Sequence, residues 1–80
     1  MPVTYYVLVV FDRDENGDLK AGEAREATNS AAAVRAAQAL AGGHAGAVAF
    51  SRTGDPATGE FQDAVVLAQF GEADLDALSA

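Results

Sequence analysis

Eighty residues without a cysteine make one small domain that has no disulfide, thiolate zinc site or thiol nucleophile to draw on. Five basic residues against twelve acidic ones leave a net charge of −7, which excludes a binder of phosphate backbones. Arg13, Lys20, Arg25, Arg35 and Arg52 are scattered along the chain and form no basic patch.

Half of the residues are hydrophobic, but many are alanines, so the core must rest on a few Val, Leu, Phe and Tyr. The absence of isoleucine and the single lysine are a coding bias expected of a GC-rich bacterial genome. The N-terminus lacks a positive n-region, and its apolar run is too short to span a bilayer, so the cytoplasm is the expected compartment.

That run, Val3 to Phe11, is rich in β-branched and aromatic residues and apolar at both parities, which predicts a strand buried on both faces. Asn16-Gly17 is a short-range hairpin signal, since a type I′ turn needs positive φ at both central residues. Leu19 to Ala27 is the return strand, with Glu23, Arg25 and Glu26 marking an edge. A two-residue turn would set Val9 opposite Ala24, Leu8 opposite Arg25 and Phe11 opposite Gly22.

Thr28-Asn29-Ser30 offers three N-cap candidates before the alanine-rich segment 31–41, and Gly42-Gly43 follows as a C-cap. Ala33, Ala36, Ala37 and Leu40 form its apolar stripe, with Val34 and Ala41 flanking and Arg35 and Gln38 turned away. Ala45 to Ser51 is the third strand, with Val48 and Phe50 on one face. Residues 53–59 form a turn cluster, and Phe61 to Phe70 is a fourth strand. The chain thus divides into an α+β domain over 1–71 and an acidic tail over 72–80.

The elements spell ββαββ, a four-stranded, mostly antiparallel sheet with one helix on one face. Strand three should run parallel to strand two, and the doubly apolar strands one and four suggest the order 2-1-4-3. With Val7, Val9 and Phe11 turned to the helix, Tyr6, Leu8 and Val10 would face the other way, joined by Val66, Ala68 and Phe70 or their odd-numbered neighbours. An open apolar face of that kind predicts a homodimer packed sheet on sheet, or a protein partner in its place.

Residues 12–23 resemble an EF-hand calcium loop. Asp12, Asp14 and Asn16 stand where side-chain oxygens are needed, Gly17 where the loop bends, Asp18 where a backbone carbonyl is offered, and Glu23 where a bidentate ligand closes the site. The resemblance implies calcium, or another hard cation, as a ligand. The same residues also fit an acidic, solvated hairpin tip, entered from a strand and with Lys20 at a ligand-favouring position.

As a whole the chain resembles small bacterial hypothetical proteins, a likeness that implies no activity. His44, the only histidine, follows the helix C-terminus, where the macrodipole favours its charged form. Arg52, Thr53 and Gly54 could hold an anion if their backbone amides converge in a turn. Ser51, Thr53 and Thr58 have no identifiable base. The expected function is a non-enzymatic interaction or adaptor module, and the alternative is weak calcium binding through the loop at 12–23.

Overall fold

A computed structural model describes residues 2–73. The elements in chain order are β1 (Val3–Arg13), β2 (Leu19–Ala27), α1 (Ser30–Ala41), β3 (Gly46–Asp55), β4 (Glu60–Phe61) and β5 (Val65–Gly71). They form one antiparallel sheet of order β2-β1-β3, with β4 and β5 paired in turn along the far edge of β3. The chain is the expected α+β, ββαββ arrangement with α1 on one face.

The strand order is 2-1-3-4 rather than 2-1-4-3. β3 does run parallel to β2, so it lies antiparallel to β1 and pairs with it along nine residues, from Val3 opposite Gly54 to Phe11 opposite Gly46. Placing the fourth strand beside β1 would have required a parallel pairing, whereas the observed order keeps every ladder antiparallel. The small side chains of β3 also suit a central position, since Gly46 to Phe50 are all buried. The fourth strand, apolar at both parities, is an edge broken at residues 62–64, and both Val65 and Val66 are exposed.

The first hairpin keeps the expected register over Val7 to Val9 and then shifts by one, so that Phe11 faces Ala21. Gly22 and Glu23 together oppose Val10, a β-bulge that twists the strand. The turn is longer than two residues. The N–H of Gly17 donates to the Asp14 carbonyl (3.0 Å), that of Asp14 donates to the Asp18 carbonyl (2.9 Å), and φ is positive at Gly17 (82°) but not at Asn16. This is a type I turn closed by a left-handed glycine, not a type I′ turn.

The helix faces fall as their periodicity predicts. Ala33 and Ala37 are fully buried against Leu8, Ala47 and Ala49, while Arg35 and Gln38 are exposed. Asn29 is the N-cap, extended at φ −158°, and its Oδ1 accepts the Ala32 N–H at 2.8 Å. At the other end Gly42 stays right-handed (φ −65°), and the helix unwinds through the bonds Gly43 N–H to Leu40 O and His44 N–H to Ala41 O.

The two sheet faces are exchanged relative to expectation. Tyr6, Leu8 and Val10 meet the helix, and Val7, Val9 and Phe11 lie on the opposite face with Val48 and Phe50. That opposite face is not open along its length. Val9, Phe11, Val48 and Phe50 are all buried, because Leu19, Ala64 and Ala73 pack over them. The assignment inverted because the apolar run offers equal hydrophobicity at both parities, and parity alone cannot say which row meets the helix. The tail expected over 72–80 lies outside the described residues from 74 onward; Glu72 closes back on the sheet through its N–H to the Ala45 carbonyl (3.1 Å).

Candidate functional site

The acidic loop residues are drawn to separate partners. Asp12, at the end of β1, reaches across to His44, whose Nδ1 lies 2.9 Å from both carboxylate oxygens. Asp14 turns inward on its own loop, where its Oδ1 accepts the N–H groups of Asn16 (2.9 Å) and Asp18 (3.0 Å) and its Oδ2 lies 3.3 Å from Lys20 Nζ. The Asp18 N–H above all holds the Asp14 carboxyl below its ordinary value of 3.8; desolvation opposes this, and the Asn16 N–H, Lys20 and the Gly17 N–H add to it.

Glu23 stands in the bulge on exposed β2. Among the described residues, no three His, Asp or Glu side chains converge as a metal would require. Asn16 and Gly17 serve the turn. In this hairpin tip the oxygens at alternate positions do not share a centre: Asp14 Oδ1 alone accepts two backbone N–H groups, and Asp12 turns to His44.

Arg52, Thr53 and Gly54 belong to β3 rather than to a turn, opposite Tyr5, Thr4 and Val3. Strand amides alternate in direction, so these do not form a converging anion nest. The turn begins later, with the Asp55 carbonyl accepting the Gly59 N–H at 2.8 Å and its Oδ1 accepting the Ala57 N–H at 2.9 Å. Arg13 pairs with Glu72 and donates to the Gly17 carbonyl, tying the first hairpin to the end of β5.

What the fold does assemble is a cluster whose members lie 56 positions apart at the extremes of the chain. Side-chain alternation carries Val3 and Tyr5 onto the helix-free face, and register places Arg52 beside Tyr5 and Phe61 beside Gly54. The Phe61 ring covers Gly54 so closely that a Cβ there would stand 2.1 Å from Phe61 Cδ1, so only glycine lets the ring lie flat on the strand. Tyr5 and Phe61 have ring centroids 6.2 Å apart, tilted by 39°. Arg52 Cζ lies 5.7 Å from the Phe61 centroid, within cation–π range.

Around this cluster Val3, Phe61 and Val66 remain 41%, 42% and 43% exposed, and Arg52 Nε is shut off from solvent without a hydrogen-bond acceptor. Sequence reasoning missed the cluster because Tyr5 and Phe61 looked like ordinary strand residues. Their proximity depends on the strand order, which no local pattern encodes. Among the described residues no helix is long and apolar enough to cross a membrane. Comparison with protein-family models, with curated proteins and with solved structures finds no match to this chain.

Proposed function

We propose that the protein is a non-enzymatic, cytoplasmic interaction module that docks a protein partner on the exposed end of its helix-free sheet face. The observation that carries this reading is the exposure of Phe61, Val3 and Val66 around Tyr5 and Arg52. Tyrosine, phenylalanine and arginine grouped with exposed valines is the composition from which interface hot spots are built. The non-enzymatic part rests on the residue inventory, one histidine and no cysteine, which leaves few groups for acid–base or nucleophilic work.

The patch is smaller than a whole open sheet face, since the centre of that face is already packed. It fits a compact partner surface with an apolar centre and a carboxylate for the Arg52 guanidinium. Affinity purification of the tagged chain from its native cell tests this. The parent should return a stoichiometric protein partner and the Phe61→Ala chain should not, with both chains folded. Equal recovery on both chains, or recovery of the chain alone with turnover of a metabolite, would overturn the reading.

A further inference from the structure

β2 pairs only with β1, so one row of its N–H and C=O groups faces outward along a nine-residue strand whose residues from Lys20 to Glu26 are all exposed. Charges on such an edge ordinarily prevent a second strand from adding to it. Here their order has the opposite effect. Glu23 and Arg25 stand two residues apart, on one face and with opposite sign, and neither has an ion-pair partner among the described residues.

We infer that two copies of the chain join β2 to β2, antiparallel, about a two-fold axis through Ala24, merging their sheets into one. In that register Glu23 faces the partner's Arg25, and Arg25 faces the partner's Glu23. Ala24 faces its own copy at the axis, where two methyl groups let the strands approach. An axis perpendicular to the sheet keeps each residue on its own face, so only shifts of two residues compete. One such shift sets Glu23 against Glu23 and the other Arg25 against Arg25, and like charges directly opposite are destabilising. Charge complementarity therefore selects a single register.

The bulge at Gly22-Glu23 ends the ladder at the Glu23–Arg25 pairs on either side of the axis, so the dimer is weak and concentration-dependent. Pairing consumes the β2 edge of both copies, which closes the assembly at two along this edge. It leaves the Tyr5–Arg52–Phe61 cluster free at the other side of each sheet, so the dimer presents two docking patches to a bivalent partner.

Sedimentation equilibrium from about 10 μM to about 1 mM, at about 0.15 M salt to screen the repulsion of two acidic copies, tests the inference. The parent should dimerise. Glu23→Arg and Arg25→Glu should each raise the dissociation constant about tenfold or more, because each sets two like-charged pairs face to face. Mixing the two variants should restore dimers, now mixed, since every facing pair is again of opposite sign while the total charge equals that of two parent copies. A parent that stays monomeric throughout would overturn the inference. So would charge variants that dimerise like the parent, or a mixture that stays monomeric. Phe61→Ala should leave this dimer unchanged; its dissociation by that variant would place the contact on the docking patch instead.

Discussion

β2 and β3 flank the same strand, pair with it in the same sense and differ in almost everything else. β3 has five consecutive buried residues, while β2 has seven consecutive exposed ones. Charge separates them in part, since β2 carries Lys20, Glu23, Arg25 and Glu26 where Gly46 to Phe50 carries none, but charge alone does not bury a strand. The helix does, lying over β3 and β1 with its alanine stripe, while Leu19, Ala64 and Ala73 help close the other side. A strand becomes central because of what later segments place above and below it. The same logic leaves β2 with an unspent backbone edge.

Truncating one residue in each strand should expose the difference most plainly. Phe50→Ala in β3 should cost about 3–5 kcal/mol of unfolding free energy by urea denaturation, since it empties a packed site between Val48 and Val7. Glu26→Ala in β2 should stay within about 0.5 kcal/mol of the parent. Comparable losses at the two positions would mean that β2 is covered.

A smaller effect is expected where the exposed strand hands over to the helix. Asn29→Ala removes the acceptor of the Ala32 N–H and should cost about 1 kcal/mol, whereas Asn29→Gly should cost only a few tenths. A negligible cost of Asn29→Ala would show that the side-chain cap contributes little.

The smallest effect belongs to the turn that launches β2. Hydrogen bonding lowers the Asp14 carboxyl below 3.8, so its stabilisation is complete above that pH and is lost as the pH falls through the lowered value. Acid titration followed by the Asn16 and Asp18 amide signals should show a midpoint below 3.8 that Asp14→Ala abolishes. A midpoint at or above that value would contradict the turn geometry.

Local features were legible in the sequence to the degree that their causes are local. The helix limits, its buried alanines and the Asn29 cap follow from spacing and capping chemistry between near neighbours. The register over Val7 to Val9 followed from hairpin logic, but a bulge at Gly22-Glu23 moved it by one, and a glycine inside the strand pattern, Gly22, was its one local sign. The strand order and the choice of face depend on pairings tens of residues apart. The candidate site shows the same division: Asp14 serves its own loop, while Asp12 meets His44 and Tyr5 meets Phe61 only once the sheet has closed.

At the centre of the seam between helix and sheet, Ala33 and Ala37 lie against Ala47 and Ala49. Methyl groups give up no rotamer freedom when they are buried, so that part of the contact forms without side-chain ordering. They also raise no ridges to interlock. Lengthwise position then comes from the larger side chains around them, Leu8, Val34, Leu40, Leu67 and Phe70, and from the two ends, the Asn29 cap at one and the His44–Asp12 bridge at the other.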